Sequence, residues 1–307
     1  MNNDHEYWDP LGEKIQQDTY MLQTQKLVQK KEEYAKSPGR IKRNHDLLLL
    51  PGISIFLIYI WLFGFNRGLI YATVFGFMPL LIYRSRIHNL QENLILFLMC
   101  SENNWVYNPD DDSPRYEQFK IIYPDYFTVG HSAYIEDQIW GIMNSDKPIH
   151  FWNCAFTYTT GHGRSSQTHK HSIFILRLYK SLPVSLDLKR KNILSFSGNK
   201  VKTESEEFNK LFSIDNKMTD PDGQLLLMKV LSPSVQVRLI QLATHFPVAR
   251  IGFHGENMIL DFSEELWKFR YTDFFHEVKI DDRDTAYFQS LIMRMTSTPV
   301  EMLQYID

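Results

Sequence analysis

The sequence contains little cysteine. Its 307 residues include Cys100 and Cys154 and no other cysteine, which is too few for a disulfide framework. We therefore expect two free thiols and a reducing compartment. The opening stretch, MNNDHEYWDP, has no basic segment followed by an apolar core, so we do not expect a secretory signal there.

The chain also has no excess of positive charge and no catalytic motif. Its formal net charge is −3 at pH 7, which argues against a nucleic-acid-binding surface. Neither GxSxG nor HExxH occurs, and the GHG at 161–163 lacks the lysine and third glycine of a phosphate-binding loop. These absences predict a protein that is not an enzyme and that uses no cofactor.

What the sequence does have is a long apolar region between Leu47 and Tyr83, with Arg67 as its charged residue. Residues 47–65 are long enough to cross a bilayer core of roughly 30 Å as a helix, and 68–83 form a shorter second stretch. The pattern predicts a two-helix transmembrane hairpin at 46–84. The alternative is a buried helical hairpin in a soluble protein, which would need protein on all sides.

Basic residues near the ends of this hairpin predict its orientation. They are more numerous before and after the hairpin than in its turn, so the positive-inside rule places both termini in the cytoplasm. The protein is then a multi-pass protein of the cytoplasmic (inner) membrane. If 68–83 stopped short of crossing, the C-terminal domain would lie on the opposite side. The predicted membrane-interface residues are Lys42, Arg43, Arg67, Arg84 and Arg86.

Composition divides the rest of the chain into three further segments. Residues 1–45 form a cytosolic N-terminal helical segment that ends in a basic cluster, 85–102 form a connecting helix, and 103–307 form a cytosolic domain. In the N-terminal segment, Tyr20, Leu27 and Tyr34 repeat at a seven-residue spacing. This narrow apolar stripe indicates a helix from Leu11 to Lys36 that lies on its own domain or the membrane surface, or that docks a partner helix.

The first half of the C-terminal domain is rich in β-branched and aromatic residues, which favour strands. In HFWNCAFTYTT, period-two alternation places Trp152, Cys154, Phe156 and Tyr158 on one face. The predicted strands are Gln118–Tyr123, Asp137–Asn144, Pro148–Thr160, His171–Lys180 and Pro183–Leu188.

The second half contains helix-start signals and one hairpin. Ser205, Asp220-Pro221 and Ser232-Pro233 each indicate the start of a helix, and HGEN is predicted to form a turn between two short strands. A final amphipathic helix is predicted at Asp284–Met295. Strands first and helices later indicate an α+β fold with a mostly antiparallel sheet.

Several segments resemble a bacterial membrane-protein family, domain-of-unknown-function family 3137. The similar segments are YIEDQIWGIMN with HFWNCAFTYTT, HSIFILRLYKSLP, VKTESEEFNKLFSI, and LSPSVQVRLIQLATHF with RIGFHGENMILDF. The resemblance covers about Tyr20 to Phe274 and implies a basic N-terminal helix, a two-pass hairpin and this soluble domain. It implies no established activity and no catalytic residues.

Two groups of side chains are candidates for binding. His162, His169 and His171, with Cys154, have the chemistry of zinc ligands, but the stretch lacks a CxxC or HxxxH pair and is more typical of an exposed hairpin tip. A possible pocket for a lipid or peptide, which would otherwise be an ordinary core, consists of Trp140, Trp152, Phe156, Tyr158 and Phe174.

These observations favour a non-enzymatic interaction or assembly protein. Its partners are the lipid bilayer and either another protein or further copies of the chain. The alternative is a membrane-associated protein that binds a lipid or small ligand on an aromatic face of the sheet.

Overall fold

A computed structural model describes residues 96–103, 105–110, 113–143, 149–177, 185–191, 201–216 and 221–263. It also describes Gln25, Gln29, Trp61, Asn93 and Ser290, all five of which are helical. Apart from Trp61, the predicted transmembrane hairpin and its interface residues lie outside the described residues, as do most of the predicted N-terminal helix and most of the predicted helix at Asp284–Met295. Trp61, within the first predicted span, has 84% of its surface exposed.

One antiparallel sheet of eight strands forms the centre of the domain, in the order β1-β2-β3-β4-β8-β7-β5-β6. This confirms the α+β fold with a mostly antiparallel sheet. The strands are β1 (Val106–Asn108), β2 (His131–Met143), β3 (Ile149–Thr160), β4 (Gln167–Arg177), β5 (Leu186–Arg190), β6 (Phe212–Asn216), β7 (Val248–His254) and β8 (Asn257–Phe262).

Helices cover both faces of the sheet. They are α1 (Ser113–Ile122), α2 (Pro124–Phe127), α3 (Glu206–Leu211), α4 (Pro221–Val230) and α5 (Pro233–His245), and residues 96–102 are helical as well. On one face, α3, α4, α5 and residues 96–100 bury the first core. On the other, α1 and α2 bury the second core. The end of the predicted connecting helix at 85–102 therefore packs into the domain.

Strand alternation divides β3 between the two cores. Trp152, Cys154, Phe156 and Tyr158 lie in the second core, as the period-two pattern predicts, and Phe151 lies in the first. Most of β3 is buried on both faces, which explains its nearly continuous run of apolar and aromatic residues.

The predicted strand Gln118–Tyr123 is wrong, because these residues belong to α1 and the residue that follows it. Phe119 and Tyr123 are four residues apart, so a helix places both rings on one face, and both are buried in the second core. Lys120 also pairs with Glu117 one turn away at 2.9 Å. The local composition favours a strand, but burying Phe119 and Tyr123 together in the second core requires a helix, and this tertiary packing decides the structure.

The other element boundaries agree more closely with the sequence. Predicted helix starts are confirmed at α3, α4 and α5, and the turn between β7 and β8 is confirmed with Gly255 at φ +60°. β2 and β4 begin earlier than predicted, at His131 and Gln167. β1 and β6 are strands that the sequence did not predict.

The two serines at helix starts are expected to differ in their contribution to stability. Ser205 Oγ accepts a hydrogen bond from the Phe208 N–H at 3.2 Å, whereas the Ser232 hydroxyl is buried without a partner in the described residues. Ser205→Ala should lower the free energy of unfolding by about 1 kcal/mol. Ser232→Ala, the matched control, should be neutral or slightly stabilising, and equal losses in urea unfolding would contradict this assignment.

Candidate functional site

The first candidate site is a charged cluster beneath α2, centred on the buried carboxylate of Asp187. Because Leu186 and Leu188 enter the first core, alternation turns Asp187 toward the opposite face. There its carboxylate accepts a hydrogen bond from the Tyr126 hydroxyl at 2.6 Å and pairs with Arg250 Nη2 at 2.9 Å. Tyr126, Asp187, Arg250 and His254 are called the Asp187 network below.

Arg250 joins the sheet to α2 in several ways. Its guanidinium group lies over the Tyr126 ring, 4.1 Å from the ring centre, and Nη1 donates to the backbone carbonyl of Asp125 at 2.6 Å. A planar guanidinium with five N–H donors can make such contacts at the same time as a carboxylate pair. α2 is only four residues long, so these contacts supply anchoring that its own helical bonds cannot.

Glycine at position 252 makes room for this arrangement. A Cβ atom at Gly252 would overlap the Tyr126 hydroxyl and would lie 2.9 Å from both Asp187 Oδ1 and His254 Nε2. Gly252 pairs with Asp187 on the neighbouring strand, so its missing side chain leaves the space that the tyrosine hydroxyl occupies.

The network keeps Asp187 ionised and Tyr126 protonated. Burial alone would raise the pKa of Asp187, but the neighbouring His254 imidazole, the hydrogen bond from Tyr126 and the charge of Arg250 outweigh burial and hold that pKa well below its usual range. Burial, followed by the negative charge of Asp187, raises the pKa of Tyr126 well above its ordinary value. The tyrosine therefore remains a hydrogen-bond donor at physiological pH.

This pKa shift predicts an acid-dependent loss of stability. The pKa of Asp187 is lower in the folded protein than the value of about 3.9 expected in the unfolded chain. The contribution of ionised Asp187 to the free energy of unfolding is therefore complete above the unfolded pKa and is lost as the pH falls through the folded pKa. The difference in unfolding free energy between the wild type and Asp187→Asn should therefore shrink below about pH 4. Urea unfolding across the acidic range tests this, and a constant difference would contradict it.

His254 brings serine, histidine and aspartate together without forming a catalytic relay. Its Nδ1 lies 3.0 Å from Ser185 Oγ, while Nε2 lies 3.5 Å from Asp187 Oδ1 and makes no hydrogen bond. Asp187 Oδ1 already accepts the shorter bond from Tyr126. Because the histidine is not oriented by the carboxylate, we assign no nucleophile here. The network anchors α2.

A second polar group lies at the histidine-rich end of β3 and β4. His171 Nδ1 lies 3.1 Å from Asp261 Oδ1 on β8, and its Nε2 lies 3.4 Å from the Tyr158 hydroxyl. His169 stacks on Tyr158 with ring centres 5.1 Å apart and bonds Thr160 Oγ1 at 2.8 Å. Each imidazole therefore has its own protein partners.

The structure does not bring the four possible zinc ligands together. His162 stacks on His131 with ring centres 5.4 Å apart, away from the contacts of His169 and His171. Cys154 is fully buried in the second core, and burial raises the pKa of its thiol well above the ordinary value. Within the described ranges, no three His, Cys, Asp or Glu side chains form a group that could hold a metal ion.

The five aromatic residues of the possible pocket are divided between the two sides of the sheet. Trp140, Trp152, Phe156 and Tyr158 lie together in the second core beneath α1 and α2, whereas Phe174 lies in the first core. All five are buried. A ligand at the four clustered residues would therefore have to enter beneath α1 or α2.

Three polar groups in this second core have no hydrogen-bond partner among the described residues. They are the indole N–H groups of Trp140 and Trp152, which face each other on β2 and β3, and the hydroxyl of Tyr123 at the end of α1. By contrast, the Trp105 indole donates to the Ile142 carbonyl at 3.1 Å. Unsatisfied buried donors are uncommon, because each costs about 1–3 kcal/mol.

The Phe119 ring lies against two of the three residues that carry these donors. Its ring centre lies 4.2 Å from that of Trp152 and 6.1 Å from that of Tyr123. Burial raises the pKa of Tyr123 to about 12, against a smaller opposing effect from Arg177, so Tyr123 is a permanent donor at neutral pH. The residues just before it, Ile121 and Ile122, are 80% and 48% exposed. An apolar rim therefore adjoins the buried donors.

The outer surface of α4 and α5 is a third candidate site. Leu225 and Met228, three residues apart on α4, are exposed, as is Val237 on α5. α4 buries Leu227 and Val230 in the first core, and Leu226 packs against that core, so Leu225 and Met228 are the large apolar side chains that α4 leaves exposed. Among the described residues, no single helix is long and apolar enough to span a membrane. The helices Asp222–Val230 and Pro233–His245, which are bent by 60° relative to each other, meet the length and composition requirements only when they are taken together.

No family model and no curated protein sequence matches the chain. A solved structure similar to it is the crystal structure of the mycobacterial trehalose monomycolate transport factor A, TtfA. The TM-score is 0.36 at 8% sequence identity, over 70% of this chain and 96% of that chain. A TM-score this low does not establish a shared fold. The resemblance to family 3137 stays a prediction.

The Asp187 network could not be predicted from a local sequence motif. Tyr126 and Asp187 are 61 residues apart, and Asp125 and Arg250 are 125 apart, so no local motif contains them. One signal was available: Asp187 stands between two leucines in a short strand, and an acidic residue in that setting commonly needs a buried partner.

Proposed function

We propose that the protein is a non-enzymatic interaction or assembly protein, anchored in the bacterial cytoplasmic membrane, whose α+β domain binds another protein or a second copy of the chain. The supporting observation is the exposed apolar surface of α4 and α5. Leu225 and Met228 share one side of α4, and large apolar side chains grouped on a surface are typical of protein interfaces. The charged groups of the Asp187 network, by contrast, are engaged with one another.

Assembly of the full chain tests this proposal. We expect the detergent-solubilised protein to migrate as a complex, and light scattering distinguishes self-assembly from a bound partner. The double substitution Leu225→Ser and Met228→Ser should dissociate the complex. Ile121→Ser, at an exposed apolar residue of α1, is the matched control and should leave the complex intact. A monomeric wild type, or a complex that survives the double substitution, would overturn the proposal.

The membrane anchor requires a separate test. Reporter fusions after Asp307 and within the turn at 65–68 report the side of the membrane on which each lies. A cytoplasmic terminus with an external turn supports the hairpin at 46–84 and both termini in the cytoplasm. An external terminus would refute that topology.

The second candidate function is binding of a lipid or small ligand at the aromatic face of the sheet. The unsatisfied donors of Trp140, Trp152 and Tyr123 favour it, since they offer hydrogen bonds within an apolar layer. Ligand sites commonly combine an apolar lining with a few polar groups that orient the ligand.

A further inference from the structure

We propose that the layer between α1 and the sheet binds an uncharged acyl lipid whose oxygen atoms, the ester carbonyl among them, accept hydrogen bonds from the buried donors of Trp152, Trp140 and Tyr123. This inference rests on the second candidate function and specifies its ligand and site. Two of the donors are directly opposite each other on neighbouring antiparallel strands, Trp140 on β2 and Trp152 on β3.

The chemistry of the donors specifies an acceptor. An indole can only donate, and the raised pKa of Tyr123 keeps its hydroxyl protonated, so each of the three groups can bind an oxygen acceptor of a ligand. The surrounding rings and aliphatic side chains match a hydrocarbon chain. Those surrounding side chains are Phe119, Phe127, Ile135, Phe156 and Ile175.

The charge of the site favours an ester over a free carboxylate. All three donors are neutral, and an ionised carboxylate buried without an opposite charge is strongly disfavoured. The nearby guanidinium groups are already engaged: Arg115 lies 5.0 Å from the Trp140 ring centre and 3.4 Å from Gln138 Oε1, and Arg177 pairs with Glu256 at 3.0 Å. An uncharged carbonyl therefore fits without breaking an existing pair.

The position of the donors also indicates the route of entry. Phe119 lies between Tyr123 and Trp152, so a ligand that reaches Trp152 from this end displaces the Phe119 side chain. The exposed Ile121 and Ile122 lie at this end of α1 and provide an apolar entrance.

Tyr123→Phe provides the sharpest test, because it removes one oxygen and little volume. With monopalmitoylglycerol as the probe, titrated against the full-length protein, we expect this variant to bind roughly fivefold more weakly than the wild type. Its unliganded melting temperature should be unchanged or higher, since no protein partner is lost. Tyr126→Phe, the matched control, should melt lower because Asp187 loses a hydrogen bond, and its affinity for the probe should be unchanged.

A tryptophan pair provides an independent test. Trp152→Phe should weaken monopalmitoylglycerol binding, whereas Trp105→Phe, which removes an indole bonded to a backbone carbonyl in the first core, should not. Palmitate at neutral pH should bind more weakly than the ester. Equal binding of the two probes, or full affinity in both Tyr123→Phe and Trp152→Phe, would overturn the assigned site and ligand.

The outcomes distinguish failure of this assigned site from failure of lipid binding as a function. If the wild type binds the acyl ester and neither Tyr123→Phe nor Trp152→Phe weakens it, the lipid-binding function stands and this site is refuted. If the wild type binds neither probe, and mass spectrometry of the purified protein finds no co-purified lipid, lipid binding itself is refuted. The buried donors would then be satisfied by water alone.

Discussion

Replacing Arg250 by methionine is expected to destabilise the domain by about 3–5 kcal/mol, the typical cost of removing one member of a buried ion pair. The Arg250 and Asp187 side chains are 14% and 5% exposed, so the remaining carboxylate would have little access to water. The substitution also removes the stacking on Tyr126 and the bond to the Asp125 carbonyl, which frees α2 from the sheet. Urea unfolding followed by tryptophan fluorescence measures the loss.

Two controls show whether the uncompensated charge is the cause. Arg250→Met combined with Asp187→Leu removes both charges and should recover much of the lost stability. Lys189→Met breaks an exposed pair with Asp215, 3.1 Å long, and should cost less than about 1 kcal/mol. If Arg250→Met cost no more than Lys189→Met, the buried pair would not be what anchors α2.

Gly252→Ala is expected to cost about 3 kcal/mol, at the upper end for overpacking a buried site. The new methyl group would overlap the Tyr126 hydroxyl and crowd Asp187 Oδ1 and His254 Nε2. The backbone of β7 is paired on both sides, with β5 and β8, and cannot move away easily. The tyrosine must therefore withdraw, and the Asp187 network loses its shortest hydrogen bond.

Tyr126→Phe in the Gly252→Ala background tests this explanation. Removing the hydroxyl creates space for the methyl group. The double variant should therefore lose less unfolding free energy than the two single variants lose in sum. A coupling of this kind is expected only between residues in contact. Strictly additive losses would show that the alanine acts elsewhere. Thermal unfolding of the four proteins provides the complete cycle.

Strand periodicity made much of the sheet predictable from the sequence. Alternation correctly placed Trp152, Cys154, Phe156 and Tyr158 on one face, because the period of a strand depends only on its pleat. The HGEN turn was equally local, since Gly255 adopts the positive φ that glycine accommodates. Helix starts at Pro221 and Pro233 followed from the fixed φ of proline.

Features that depend on distant contacts were not predictable in the same way. The QFKIIY segment favours a strand locally, and only the second core, which buries Phe119 and Tyr123 together, makes it mainly helical. Phe174 lies on the opposite side of the sheet from the other four aromatic residues, and this could be known only from the register in which β4 pairs with β3. The unsatisfied donors of Trp140 and Trp152 became visible only when their surroundings were known.

The strand order has a consequence for the growing polypeptide. β1 to β4 pair in succession as they are synthesised, but β4 then pairs with β8, so that His171 meets Asp261 from 90 residues further along the chain. Until β8 leaves the ribosome, the apolar strand from Ile173 to Leu176 has an unpaired edge. Open apolar edges of this kind promote aggregation, and pairing over so long a separation slows folding. The nascent chain is therefore most vulnerable just before β8 emerges.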